Sequence, residues 1–154
     1  MPRNTTLLAP RRKPGPRGPC GADASWEDSR AWVGRFSGRW AAGGLGYWTV
    51  RLRATGAVIG VGGAERRPAF WNLYYLIDAG HWGRGYGTEL AFAAQREAAA
   101  VDPDLPLVGW IHEENAASQA VARRLGLTDY GLLEAAHWNG EPMHCWADRP
   151  PAFG

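Results

Sequence analysis

Apolar and polar positions divide the chain into a patternless start and a patterned remainder. Residues 1–24 are rich in Pro, Gly and Arg and have no period, so a disordered tail is expected there. From Ser25 onward the pattern changes. Trp32, Phe36 and Trp40 recur every four residues with Val33 beside them, which predicts a helix with one apolar face. Ser25 suits its N-cap, Glu27 and Asp28 suit its first turn, and Gly43-Gly44 stops it. Residues 46–53 and 58–63 read as two strands joined by a turn over 54–57, a hairpin. Residues 65–70 read as a polar loop. Residues 71–77 form an apolar, aromatic run of buried-strand composition. Residues 88–101, rich in Ala, Leu, Gln and Glu, predict a helix with Leu90, Ala94, Ala98 and Val101 on a narrow face able to pack close to a sheet. Asp102-Pro103-Asp104 breaks it. A short buried strand over 107–111 and a helix over 115–125, ended by Gly126, follow. Residues 128–138 and 143–147 flank Asn139-Gly140, the strongest short hairpin signal in the chain. This order predicts an α/β sandwich with a mixed sheet. It spans residues 25–149, between the tail at 1–24 and a short tail at 150–154.

Glycines 83, 85 and 87 lie between the central strand and the following helix. Strand, glycine-rich turn and helix can hold a phosphorylated ligand, because glycine lets the backbone come close and the first helical amides have no intrahelical partner. The order Gly83-Arg-Gly-Tyr-Gly87 is neither the dinucleotide fingerprint nor a P-loop. On the glycines alone, a tight turn that merely reverses the chain remains an equal alternative.

The wider sequence adds to this. His81-Trp-Gly-Arg-Gly-Tyr-Gly-Thr-Glu89 resembles the acetyl-CoA loop of the GNAT N-acetyltransferase superfamily, whose core pattern is Gln/Arg-x-x-Gly-x-Gly/Ala. Trp82 stands at its first position and Gly85 and Gly87 at the other two. The form is similar to the branch related to ribosomal-protein N-terminal acetyltransferases. Asn115-x-x-Ser118-x-x-Val121-x-x-Arg124-x-Gly126-Leu127 resembles that branch's Asn-x-x-Ser-x-x-Val-x-x-Lys-x-Gly-Phe motif. The resemblance covers about residues 25–146.

The resemblance implies a GNAT-like α/β/α sandwich with a mixed, splayed central sheet. The family's first strand and helix are reduced or missing here, since Pro-rich sequence fills their place. It implies acetyl-CoA as cosubstrate and a primary amine as acceptor. In the family, two strands splay apart at a bulge and expose main-chain groups to the pantetheine arm; here these belong to Tyr75, Leu76 and Ile77. Trp82, Gly83, Arg84, Gly85, Tyr86, Gly87 and Thr88 line the pyrophosphate site, with Arg84 either near a phosphate or simply solvated. Many relatives carry Tyr seven residues after the motif asparagine, where this chain has Ala122. Ser118, one turn after Asn115 on the same helix face, becomes the candidate proton donor to the leaving sulfur. The alternative is a serine bonded back into its own helix. Asn115 contacts the pantetheine arm or the acceptor, caps the helix, or both. The branch's usual base, a glutamate, is Asn72 here, and an amide cannot take a proton. The remaining candidates are His112, Glu114, Glu134 and His137, with His112 favoured by its intrinsic pKa; the alternatives are a merely exposed strand-end histidine, a base acting through water, or no dedicated base. The non-catalytic alternative is a CoA-binding GNAT-like module or one that pairs with another chain; a homodimer is left open.

Composition narrows the classes. With 154 residues and 45% hydrophobic residues there is room for one packed core. No apolar run approaches membrane-spanning length, and the first residues lack a signal peptide's apolar core. A cytoplasmic protein is expected, and the Arg-, Ala- and Gly-rich usage points to a bacterial source. Cys20 and Cys145 lie too far apart for a disulfide framework, and His137, His144 and Cys145 lack zinc spacing, so no metal is expected. The net charge of +2 is concentrated in the tail, which carries Arg3, Arg11, Arg12, Lys13 and Arg17 against Asp23. A nucleic-acid arm is the sharper reading of Arg11-Arg12-Lys13. A solvated tail is the plainer and preferred one, because no aromatics interleave with the charges.

Overall fold

In the computed structural model the residues described are 40, 42–135 and 140–153. Most of the first expected helix, the tail before it, and His137 and Asn139 lie outside these residues. The end of that helix is described: Trp40 is helical, and the Gly44 amide donates to the Trp40 carbonyl at 3.1 Å. Gly44 takes φ +72°, the left-handed conformation with which glycine closes a helix. The elements that follow are β1 (Tyr47–Arg51), β2 (Val58–Arg66), β3 (Trp71–Ile77), a 3-10 turn (Ala79–His81), α1 (Tyr86–Val101), β4 (Leu107–Ile111), α2 (Ala116–Arg124), β5 (Thr128–Ala135) and β6 (Glu141–Ala147).

The six strands form one mixed sheet in the order β1-β2-β3-β4-β6-β5. Only β3 and β4 run parallel, joined by the α1 crossover. Strand alternation divides the sheet into two faces. Trp71, Leu73, Leu107, Ile111 and Trp146 point to the face that packs on Ala91, Ala94 and Ala98 of α1 and on Ala122 and Leu125 at α2. Small residues on α1 allow this close approach. Gln95 ties the helices together by donating to the Leu125 carbonyl at 3.2 Å. Both described helices therefore sit on one face of the sheet.

Three expectations need correcting. Val101 is exposed, and the core face of α1 is formed by Ala91, Ala94 and Ala98. Residues 65–66 are strand, not loop, and Glu65 is buried with 1% of its surface exposed. The expected bulge on the central strand is not seen in its pairing with β2, which runs from Gly60↔Ile77 to Arg66↔Trp71 without a shift.

Candidate active site

The parallel pair β3–β4 is short. Trp71, Asn72 and Leu73 pair with Leu107, Val108 and Gly109, and there the register ends. β3 continues for four residues and β4 for two, so a slot opens between their C-terminal halves. The Trp71 amide donates to Pro106 on the β4 side at 2.8 Å, and the Asp78 amide to Ile59 on the β2 side at 2.7 Å. Main-chain groups alternate along a strand, so those of Tyr75 and Ile77 face the slot while those of Leu76 face β2. Leu76 pairs with Val61 accordingly. Of the three residues expected to present main-chain groups, two do so. The Ile77 carbonyl already accepts the Trp82 indole N–H at 2.8 Å, which anchors the start of the glycine loop to the rim of the slot.

The loop itself is shaped by its glycines. Asp78 caps the 3-10 turn by accepting from the Gly80 amide and pairs with His81 Nδ1 at 3.1 Å. Gly83 and Gly85 follow with φ +73° and +82°. A Cβ at either would meet nothing within 4 Å, so the loop surface is open. Gly85 is the N-cap of α1 and contributes no side-chain hydrogen bond; the Glu89 amide, on the Gly85 carbonyl at 2.9 Å, begins the helical ladder. The amides of Tyr86, Gly87 and Thr88 thus point out of the helix at the positive end of its dipole. Arg84 is exposed beside them.

The α2 start faces the same slot. Asn115 is its N-cap, its Oδ1 accepting the Ser118 amide at 3.1 Å, so the capping reading of this residue holds. Tyr75 reaches up from β3 with its ring 3.4 Å from where a Cβ on Gly87 would lie, and its hydroxyl lies near the Ser118 side chain. A side chain thus links the slot floor to both helix starts. Burial raises the Tyr75 hydroxyl above its usual pKa, and the nearby Ser118 side chain partly opposes this. His112 follows β4 at the mouth of the slot, half-buried, and its carbonyl accepts the Asn115 amide at 3.0 Å. Ala122 is buried in the core. Glu114 and Glu134 are exposed.

The opposite face carries a polar cluster that sequence reasoning missed. Asn72 Nδ2 donates to the Tyr47 hydroxyl at 2.8 Å, and Glu65 lies directly opposite Asn72 in the register. Arg67 pairs with the Glu65 carboxylate at 3.0 Å. Tyr47 is pushed well above the ordinary phenol range, first by burial and then by the Glu65 charge. Asn72 Oδ1 has no partner in this orientation. Turning the amide over lets the phenol donate to Oδ1 and offers Nδ2 to the carboxylate side. The available signal was parity: Glu65 extends the set Ile59, Val61 and Gly63 along one face of β2.

Tyr47 and Tyr75 make a common prediction. Groups held neutral by burial stabilise the fold fully below the unfolded phenol pKa near 10, and that contribution is lost as pH rises through the higher folded values. Urea stability should fall between pH 9 and pH 11. Tyr75→Phe should lose less of its stability over that alkaline range. An equal alkaline loss in both proteins would remove Tyr75 from the account.

Among the described residues no three His, Cys, Asp or Glu side chains gather as metal ligands, and no helix is long and apolar enough to cross a membrane. Cys145 is a free, buried thiol pushed up to about 12 by burial and then by the Asp129 charge. A shallow depression of about 850 Å³ lined by Arg53, Glu89, Phe92 and Arg96 lies along α1 and includes none of the slot residues.

Comparison with known proteins agrees with this geometry. The profile of the acetyltransferase (GNAT) domain matches residues 12–128. A Bordetella pertussis protein assigned to the GnaT acetyltransferase family superposes with a TM-score of 0.72 at 18% identity, covering 84% of this chain and 80% of that one. An acetyltransferase from Agrobacterium tumefaciens gives 0.65 at 28% identity, covering 82% and 74%. The ribosomal-protein-S5-alanine acetyltransferase of Vibrio fischeri gives 0.67 at 16% identity, covering 84% and 77%. The fold is that of an acyl-group transferase, and the chain belongs to the GNAT acetyltransferase family.

Proposed function

We propose that this protein transfers an acetyl group from acetyl-CoA to a primary amine, on a protein N-terminus or a small molecule, in the bacterial cytoplasm. The observation that carries the reading is the slot between β3 and β4, opening beside the uncapped start of α1. The residues present suit the cosubstrate. The glycine loop leaves open space in front of outward amides at a helix N-terminus, which favours a diphosphate. The slot offers Tyr75 and Ile77 main-chain groups to an extended amide-bearing arm.

In this reading Trp82, Gly83, Arg84, Gly85, Tyr86, Gly87 and Thr88 hold the diphosphate end. Tyr75, Leu76 and Ile77 flank the arm. Ser118, its backbone fixed by the Asn115 cap and its side chain near Tyr75, supplies a proton to the leaving sulfur. His112 at the slot mouth is the base, or relays to one through water.

The test is incubation with acetyl-CoA and a panel of primary amines, following thiol release and acetylated product. Product well above that of Gly85→Arg and Gly87→Arg proteins is expected. The second reading, a CoA-binding module without turnover, is favoured by Ala122 and Asn72, where relatives carry acid and base side chains. Tight CoA binding in calorimetry with no acetylated product from any amine would select it.

A further inference from the structure

The loop from Asp78 to Glu89 holds one imidazole, His81. One oxygen of Asp78, Oδ2, accepts the Gly80 amide at 3.3 Å and meets His81 Nδ1 at 3.1 Å. The His81 amide closes the same turn on the Asp78 carbonyl at 2.9 Å, and the Trp82 amide on the Ala79 carbonyl at 3.3 Å. Both side chains reach solvent, with 26% of His81 and 64% of Asp78 exposed. A pair placed so contributes little to stability. Its position says more. The His81 ring centroid lies 6.4 Å from that of Tyr86, the first residue of α1, whose amide is one of the outward donors. Charge on the imidazole therefore acts within a screening length of about 8–10 Å on a group held by those amides. A carboxylate only accepts, so Nδ1 carries the hydrogen of this pair and a second proton goes to Nε2. Without that proton the turn presents the negative charge of Asp78; with it the pair is neutral. The other charged side chains along the loop and first turn of α1 are Arg84 and Glu89, and Tyr86 adds a phenol. Of these side-chain types, only imidazole ordinarily changes charge between about pH 6 and pH 8.

From this geometry we infer that Asp78 and His81 belong to the cosubstrate's binding site as its titrating part. Protonation of His81 removes the net negative charge at the edge of the cradle and tightens its hold on a diphosphate. The inference rests on the transferase reading and adds to it a proton taken up with the cosubstrate. By linkage, a ligand that favours the protonated form binds more tightly as pH falls through the imidazole range and more weakly as pH rises through it. One unit of charge near a doubly charged group, at this spacing and in a largely aqueous setting, changes Kd by about fivefold.

The experiment titrates dephospho-CoA into the protein by calorimetry at about pH 6 and about pH 8. The diphosphate of this probe is a diester with no proton to gain in that range, so a change in affinity belongs to the protein. The wild type should bind about fivefold more tightly at the lower pH, with proton uptake seen as a heat that depends on the buffer. His81→Gln keeps a donor for Asp78 without titrating. It should bind at both pH values as the wild type does at the higher one. Asp78→Asn keeps an acceptor for the Gly80 amide without the charge. At the higher pH it should bind about as tightly as the wild type does at the lower one. A flat wild-type profile, an equal slope in His81→Gln, or weaker binding by Asp78→Asn than by the wild type at the higher pH overturns the inference and leaves the transferase reading intact. If only CoA itself binds, the same comparison is made with CoA, and subtracting the His81→Gln slope cancels the ligand's own titration. No binding of either ligand at either pH overturns the transferase reading and this inference together.

Discussion

Replacing Asn72 by aspartate should lower the unfolding free energy at neutral pH by about 3–5 kcal/mol, the cost of an uncompensated charge in the interior. That is a large part of the 5–15 kcal/mol or so that a domain of this kind has in total. The size of the effect comes from Glu65. Its carboxylate is buried directly opposite residue 72, where Cβ atoms of facing strands lie about 5 Å apart. Asparagine supplies a hydrogen-bond donor in either amide orientation; aspartate supplies only acceptors and a second negative charge. Arg67 already neutralises the first. The new carboxyl will have its pKa raised by burial and by Glu65. The native state then holds a proton that the unfolded chain releases near pH 4, so stability falls as pH rises from there. Most of the loss should be recovered at pH 4.5 relative to pH 7.5 in urea titrations. Asn72→Leu removes the donor without adding charge, and should cost about 1–3 kcal/mol with no comparable pH slope. If Asp and Leu behaved alike at both pH values, the cluster would not be electrostatic. The result would also explain why a carboxylate is absent at this position: its neighbour across the strand already occupies the space and the charge.

The same cluster marks where sequence reading stops. The elements that announce themselves locally were legible. The Trp71–Ile77 strand is an apolar run, Ala-rich α1 sits between glycines and Asp102-Pro103, and Asn115 and Gly126 bracket α2. These signals lie within a few residues of one another. The pattern reads Glu65 as loop because a glutamate buries only with partners: Arg67 is two residues on, but the facing Asn72 and the Tyr47 beside it come from other strands. Asn72 and Tyr47 are 25 positions apart. The slot belongs to the same class of information. No composition rule says that β3 and β4 should stop pairing after Leu73; the expectation of a splay came from resemblance alone. Resemblance also carried a bulge that the β2–β3 register lacks and a main-chain role for Leu76 that its pairing with Val61 excludes. Tyr75 and Ser118 come together across 43 positions of the chain, a strand beside a helix start, and neither residue hints at the other. Motif reading found Ser118 and the slot residue separately, and only the fold put them together.

Gly85→Ala should separate the two properties that the loop glycines combine. Gly85 and Gly126 are a matched pair: both are left-handed, at φ +82° and +77°, and a Cβ on either would meet nothing within 4 Å. Alanine at either position should therefore lower stability by about 1–2 kcal/mol through backbone strain alone. Their positions differ. Gly126 follows the C-terminus of α2, whereas Gly85 is the N-cap of α1, before the outward amides of Tyr86, Gly87 and Thr88. A methyl group at Gly85 projects into the space a diphosphate would fill, and strain there tilts the donors away from it. Affinity for CoA should fall at least tenfold, about 1.4 kcal/mol, in Gly85→Ala and remain within twofold of wild type in Gly126→Ala. Gly85→Asn, which tolerates the left-handed conformation, should regain stability but not affinity. Calorimetric titration with CoA at two salt concentrations is the measurement, since contacts to phosphate weaken as salt rises. Equal affinities in the two alanine variants would mean that the open loop is a turn and nothing more, and the proposed cosubstrate would have to be held elsewhere.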